Sequence, residues 1–312
     1  MQLVAQVGVP SLPSIRQSLV ASLSRRYPLY SGCAWIANSR ALRRLAGDSE
    51  ELVWSRVPGG EVLASLDDYV GRSAFYVGDL DRKITWICKQ IVRPGDVVLD
   101  IGANIGMVTV WLSKLVGPKG LVHAFEPNPL LCDRLLAALE RMGRSNVKLH
   151  RFALGSSEGE LSLCIPDGNA GEASLVVHRD PARSKMISVP VRRLADVAIR
   201  EGIRNVRFVK LDVELFEAEV LEGARELLEH SPPESILFEM NGAIGGAVGD
   251  EPVFRILKEH NYAFFFVPRR RIWMRLETFD PDAVTQLKGH DVFAIARGGC
   301  FDAIARAVRA VA

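Results

Sequence analysis

Cysteine is scarce in this sequence and long apolar runs are absent. Its five cysteines, Cys33, Cys88, Cys132, Cys164 and Cys300, lie far apart with no CxxC pair, which excludes a disulfide scaffold and a zinc site of the usual spacing. Reduced thiols in a cytoplasmic protein are the expectation. No stretch approaches the roughly 18 apolar residues that span a bilayer, and Pro10 and Pro13 interrupt the segment where the apolar core of a signal peptide would lie. Net charge is equally sparse: 39 Lys and Arg against 37 Asp and Glu leave +2. That balance removes the general electrostatic reason to expect a nucleic-acid partner and leaves small molecules favoured. With 48% hydrophobic and 24% charged residues the chain reads as globular rather than disordered. Its 312 residues are enough for one large α/β domain with an N-terminal extension.

What is present is organised around residues 97–106, Val-Val-Leu-Asp-Ile-Gly-Ala-Asn-Ile-Gly. Val97, Val98 and Leu99 form an apolar run without alternation, as expected of a strand covered on both faces in a parallel sheet. Gly102 and Gly106 permit a sharp turn and close backbone approach to a ligand, and Asn104 tolerates left-handed geometry. A helix through Leu115 follows, stopped at Gly117-Pro118, and residues 120–126 read as a second strand ending in Glu126. An acid at that position, twenty residues after Gly106, is where nucleotide-binding βαβ units hydrogen-bond ribose hydroxyls. The unit is therefore expected to bind an adenosine-type cofactor.

Ahead of this unit, Ile15, Leu19 and Leu23 recur at helical spacing beside Arg16, Arg25 and Arg26. A basic amphipathic helix can rest on a membrane; the shortness of the stripe favours packing against the main domain instead. A second helical patch runs from Ala34 to Ala46, and residues 51–66 predict a hairpin turning at Pro58-Gly59-Gly60. The aromatic, glycine and acid mixture of residues 67–81 suits the mouth of a cofactor site. Beyond Glu126 the pattern predicts a helix over 130–142, a third strand over 147–152, and short strands over 161–165 and 187–191. The connection over 166–185 is long enough for a mobile loop over a substrate. Strands at 207–212, 235–239, 262–267 and 291–296 follow, with a helix from Glu217 to His230 and another over 253–260. The last two strands suggest a terminal hairpin on an otherwise parallel sheet. His123 and His150 read as core residues, and Arg269-Arg270-Arg271 as either an anion site or a solvated loop.

Taken in order, Leu99-Asp-Ile-Gly-Ala-Asn-Ile-Gly106, Ala124-Phe-Glu-Pro-Asn-Pro129, Phe152-Ala-Leu-Gly155, Lys210-Leu-Asp-Val-Glu214, Glu217, Val220-Leu-Glu-Gly-Ala224 and the Glu239 strand resemble the class I S-adenosylmethionine-dependent methyltransferases, and within them the FkbM type. The resemblance implies a Rossmann-like, seven-stranded α/β sheet with its last strand antiparallel. It implies methyl transfer to a hydroxyl of a small molecule such as a polyketide, sugar or glycolipid. Asp100, Gly102, Asn104 and Gly106 would surround the methionine part of the cofactor, Glu126 would take the ribose, and Phe152 and Ala153 would flank the adenine. The corresponding divisions are an extension over 1–93, a methyltransferase domain over 94–300 and a helical tail over 301–312. Two positions depart from the family: Leu215 stands where it usually shows glycine, and Ala195 where it usually shows aspartate.

A methyl donor that brings its own electrophile needs only an aligned acceptor oxygen and a base for its proton. Asp212, Glu214 and Glu217 cluster at the end of the fourth strand, where such sheets meet their ligands. Asp212, Glu239 and Asn241 offer a second arrangement, an oxygen set for Mg²⁺ like that of the catechol-type methyltransferases. Two other readings remain. One is a catalytically silent S-adenosylmethionine-binding protein, suggested by Leu215 and Ala195. The other is a nicotinamide-dependent oxidoreductase, whose GxGxxG fingerprint is disfavoured by Asn104 in place of the second glycine.

Overall fold

The computed structural model describes residues 8–47, 49–167, 173–175, 184–240, 247–269, 273–287 and 291–308. The chain opens with helix α1 (Ile15–Ser24), started by a capping box in which Ser14 and Gln17 satisfy one another's backbone N–H groups. Two short helices follow, α2 (Cys33–Ala37) and α3 (Arg40–Ala46). They replace the single expected helix because the Ser39 hydroxyl accepts the Leu42 N–H and restarts the chain. The hairpin forms as expected from β1 (Leu52–Val57) and β2 (Gly60–Ser65), paired Val57↔Gly60 across the turn. Asp68 caps helix α4 (Tyr69–Arg72), which runs into a π-helical turn over Ser73–Val77, and α5 (Arg82–Ile91) leads into the main sheet.

The apolar stripe of α1 does not pack on the main domain. The buried side chains of the helix are Gln17 and Ala21, while Ile15, Leu19 and Leu23 are exposed. Polar contacts set this orientation. The Ser24 hydroxyl donates to the Tyr76 carbonyl at 2.6 Å, and the Arg25 guanidinium donates to the carbonyls of Phe75 at 2.7 Å, Ala74 at 3.1 Å and Arg56 at 2.8 Å. Three of these four carbonyls, those of Ala74, Phe75 and Tyr76, belong to the π-helical turn, whose last carbonyls need partners.

The main sheet is built from β3 (Val97–Ile101), β4 (Leu121–Phe125), β5 (Val147–His150), β9 (Val206–Leu211), β10 (Ser235–Glu239), β11 (Tyr262–Phe266), β12 (Glu277–Phe279) and β13 (Asp291–Ala296). Its order is β12-β11-β13-β10-β9-β3-β4-β5, with β3, β4, β5, β9 and β10 parallel and β13 antiparallel to both β10 and β11. All seven expected strands are present, and the last inserts antiparallel between its neighbours. The eighth, β12, covers the edge of β11 through Phe264↔Phe279, with the Phe266 and Phe279 rings stacked at 3.8 Å. Alternation along the inner strands feeds two cores: Leu99, Ile101, Val209, Leu211 and Phe238 on one face, Val98, Val122, Phe208, Leu237 and Phe293 on the other.

Helices α6 (Met107–Val116) and α7 (Pro129–Arg141) complete the first two βα units. The third strand stops at His150 rather than Phe152, because Ala153 crosses to a second, three-stranded sheet. That sheet contains β6 (Ala153–Leu154), β7 (Gly159–Pro166) and β8 (Ser184–Arg192), in the order β6-β8-β7. After α8 (Leu194–Glu201), the helix expected from Glu217 to His230 is divided into α9 (Glu217–Glu222) and α10 (Arg225–His230). Gly223 lies between them, where a Cβ would sit 1.9 Å from the Gly155 carbonyl oxygen. Helix α11 (Pro252–Glu259) precedes β11, and the closing helix α12 (Phe301–Ala307) packs Ile304 and the following Val308 into the core that holds Ile87, Ile91 and Phe293. The extension is likewise continuous with the sheet's packing, since Val62, Ala64 and Val70 share a cluster with Ala103, Ile105 and Val110. Among the described residues no helix is long and apolar enough to cross a membrane.

Candidate active site

Parallel strands place their carboxyl ends on one edge of the sheet, and ligands of open α/β sheets bind there. Here that edge carries a cavity of about 640 Å³, within the roughly 300–1,000 Å³ of small-molecule sites. Its first wall is the turn after β3. The Gly102 and Ala103 N–H groups donate to the Phe125 carbonyl at 3.0 and 2.9 Å. Gly102 has φ +80°, and a Cβ there would meet the Asp212 carbonyl oxygen at 1.8 Å. Asn104 takes the left-handed φ of 54° that its sequence position predicts.

Glu126, at the tip of β4, is buried against this turn. One carboxylate oxygen accepts the Asn104 N–H at 2.8 Å and the other the Asn128 N–H at 2.9 Å. Burial pushes its pKa up to about 7, against the opposing pull of those two donors. Each oxygen keeps a lone pair for a further donor. Of the expected cofactor residues, Gly102, Asn104, Glu126, Phe152 and Ala153 line the cavity. Asp100 and Gly106 do not line it. The fully buried Asp100 accepts from the Thr109 hydroxyl at 2.5 Å, and burial raises its pKa.

Lys210 was missed as a site residue. It is buried on β9, donates to the Gly102 carbonyl at 2.7 Å, and lies 3.3 Å from Asp212 and 3.8 Å from Asp100. Burial alone would lower its pKa, but Asp212 and Asp100 outweigh that effect and raise it, so Lys210 remains an ammonium. A lysine within the apolar run Phe208-Val209-Lys210-Leu211 is itself a signal, because buried lysines require partners.

Asp212 and Glu214 line the cavity, as does Glu239 at the tip of β10, and these three can bring carboxylate oxygens within 4.8 Å of one another. Asn241 lies outside the described residues. Glu217 is placed differently: it is buried at the start of α9, receives the Val213 N–H at 3.0 Å, and does not line the cavity. Glu214 and Leu215 adopt φ of 54° and 74°, two consecutive left-handed residues without glycine, and Leu215 faces the cavity while 41% exposed. The Ser174 hydroxyl donates to the Glu214 carbonyl at 2.9 Å. Of the 166–185 connection, Ala173 and Leu175 line the cavity, while residues 168–172 and 176–183 lie outside the described set.

The remaining wall comes from the segment expected at the cavity mouth: Tyr69, Val70, Asp79 and Asp81, joined by Asp291 at the start of β13. Buried Lys83 pairs with Asp81 at 3.1 Å and with Asp291. Burial pushes Asp81 up to about 7, against the pull of Lys83. Asp291 reaches this edge by antiparallel pairing with Glu239, a long-range contact that local pattern does not reveal.

His123 and His150 stand apart from this chemistry. Their ring nitrogens approach to 3.0 Å and His150 stacks on Phe125 with centroids 4.5 Å apart. Burial lowers both to about 4, in keeping with core residues. Arg269 is exposed and off the cavity; Arg270 and Arg271 lie outside the described residues.

Residues 100–264 match the methyltransferase FkbM domain. The chain is 26% identical to the 31-O-demethyl-FK506 methyltransferase FkbM of Streptomyces tacrolimicus, over 66% of this chain and 87% of that protein. It is 27% identical to the 2-O-methyltransferase NoeI of Sinorhizobium fredii, over 46% of this chain and 63% of that relative. Among solved structures it is similar to a methyltransferase FkbM from Methylobacillus flagellatus KT, with 14% identity and a TM-score of 0.38, covering 90% of this chain and 59% of that one.

Proposed function

This chain belongs to the FkbM methyltransferase family, and from that premise we propose that it moves a methyl group from S-adenosylmethionine to a hydroxyl oxygen of a small molecule. The observation that carries the cofactor assignment is Glu126: a buried carboxylate beside a glycine turn, already held by two backbone donors and still able to accept two hydroxyls. Phe152 and Ala153 supply an apolar wall where an adenine would lie, and Gly102 and Asn104 bring backbone close to the methionine part. Gly106 closes that turn through its N–H to the Ala103 carbonyl, and Asp100 is anchored by the Thr109 hydroxyl.

When bound, S-adenosylmethionine supplies a methyl group activated by its sulfonium centre. The protein's residues orient the acceptor and move one proton. Asp212 and Glu214 line the cavity and would accept that proton as the acceptor oxygen takes the methyl group. Lys210 positions this arrangement by tying the Gly102 turn to Asp212. Glu217 acts through the backbone, fixing Val213 between the two carboxylates.

A divalent cation is the second reading, favoured by the approach of Asp212, Glu214 and Glu239. Those residues would hold Mg²⁺, which would lower the pKa of an acceptor hydroxyl. S-adenosylhomocysteine formation across a panel of methyl glycosides, phenols and macrolide alcohols, with Mg²⁺ or with EDTA, tests these readings together. Turnover that persists in EDTA and falls in Asp212→Asn or Glu214→Gln supports carboxylate assistance. Loss of turnover in EDTA supports the metal, and tight cofactor binding with no product from any acceptor supports a silent binder.

A further inference from the structure

Residues 1–47 contain six arginines and no lysine, aspartate or glutamate. The whole chain has 39 basic and 37 acidic residues, so the other 265 positions hold 33 basic against 37 acidic. The positive charge of this protein is therefore concentrated in its first helices. Arg16, Arg26, Arg40, Arg43 and Arg44 are exposed there, while Arg25 turns inward to the carbonyls of the π-helical turn.

The same segment carries an unusual share of the exposed apolar surface. Ile15, Leu19 and Leu23 are 83, 61 and 67% exposed, and Leu12 and Trp35 are 92 and 75% exposed. At 100° per residue the first three lie within one quarter of the helix circumference, opposite the buried Gln17 and Ala21. The Arg16 guanidinium donates to the carbonyls of Arg44 and Leu45, which sets exposed Leu45 and the α3 arginines beside this stripe. An apolar stripe with flanking arginines and an exposed tryptophan is the surface that settles at a lipid–water interface.

We propose that the α1–α3 unit docks this protein on the surface of an anionic bilayer, with Ile15, Leu19 and Leu23 entering the headgroup boundary and the arginines meeting acidic headgroups. Charge selects this occupant. A second copy would bring an equally positive face against the first, and like charges oppose that contact, whereas acidic lipids complement it. The unit is also fixed to the rim of the cavity: Asn38 donates to the Tyr69 carbonyl at 3.1 Å and to Ser73 at 3.2 Å, and Ala34 and Tyr69 both line the cavity. Docking would thus set the cavity rim beside the lipid surface. This inference does not depend on which reaction the cavity performs.

Co-sedimentation of the full chain with vesicles tests it. Vesicles of phosphatidylcholine with phosphatidylserine should bring the protein down, phosphatidylcholine alone should not, and added salt should weaken the partition. The triple variant Ile15→Ser/Leu19→Ser/Leu23→Ser should lower the partition coefficient by about tenfold or more, and Arg40→Glu/Arg44→Glu should abolish the preference for acidic lipid. Thermal unfolding of both variants should match that of the wild type, since the altered side chains are exposed. No binding to either vesicle, or equal binding by wild type and the triple variant, would overturn the proposal. So would a dimer in sedimentation velocity that the triple variant dissociates, which would assign the face to a second copy.

Discussion

In residues 8–47 Leu12, Leu19, Leu23 and Leu45 stand in solvent with five arginines, whereas at the carboxyl edge of the sheet lysines and carboxylates are taken out of it. The exposed arginines of residues 8–47, Arg16, Arg26, Arg40, Arg43 and Arg44, keep access to water. Lys83 and Lys210 are buried and have paired carboxylates: Asp81 and Asp291 for one, Asp100 and Asp212 for the other. The difference separates two uses of charge. An exposed arginine can be reached from solvent, while a buried lysine is part of the frame and cannot be removed without stranding its acids. Identical kinds of substitution should therefore have unequal effects in the two regions.

The largest effect should follow Lys210→Met, which leaves Asp100 and Asp212 without their cation. Urea unfolding should show a loss of about 3–5 kcal/mol, with Lys210→Arg recovering part of it; a loss below about 1 kcal/mol would make the lysine one more surface charge.

Acid should next distinguish the regions. His123 and His150 are neutral in the fold because burial lowers both to about 4, against an ordinary 6.5. At these two sites the unfolded chain therefore binds more protons between those values, and the stability they contribute should be lost as pH drops from about 6.5 through about 4, opposite in sense to Glu126 and Asp81, which burial raises to about 7. A His123→Phe/His150→Leu variant should show a flatter fall of Tm with acidification, and an unchanged slope would place the acid sensitivity elsewhere.

A smaller change of opposite sign is expected at Leu215. A side chain in left-handed backbone costs roughly 1–2 kcal/mol, so Leu215→Gly should raise stability by about 1 kcal/mol and leave cofactor affinity as it was. A destabilised variant would mean that the Leu215 side chain contributes packing to the cavity wall. The smallest effect belongs to the α1 stripe. Ile15→Ser, Leu19→Ser and Leu23→Ser should each shift stability by no more than about 0.5 kcal/mol, a bound that an apolar-to-polar change in the sheet would greatly exceed.

How much of this could be read beforehand depended on whether a residue acts locally. The Gly102–Gly106 turn and Glu126 were legible because strand, turn, helix and acid follow one another within thirty residues. The positions of the seven main strands were legible from the same pattern repeated along the chain, while their spatial order came from the structure. Lys210 was not legible as a site residue, because its role arises from Asp100 on the adjacent strand and from the Gly102 carbonyl. Asp291 likewise enters only through antiparallel pairing with Glu239. Periodicity gave the α1 stripe but not its direction, which Ser24 and Arg25 decide by meeting carbonyls some fifty residues away. Leu215 was visible as a departure from glycine, and its consequence, a strained turn at the cavity wall, required the backbone.

The central claim is that the cavity beside Glu126 takes S-adenosylmethionine. Calorimetric titration of the purified chain with S-adenosylmethionine and, separately, with NADH tests it most directly, with Glu126→Ala as the control. The account predicts binding of the first and not the second, weakened about 10- to 100-fold in the variant by the loss of charge-assisted hydrogen bonds. Because Glu126 is pushed up to about 7 and ribose hydroxyls favour its ionised form, binding near neutral pH should also release protons, seen as a dependence of the heat on buffer. Failure to bind S-adenosylmethionine, or equal binding by wild type and Glu126→Ala, would contradict the claim.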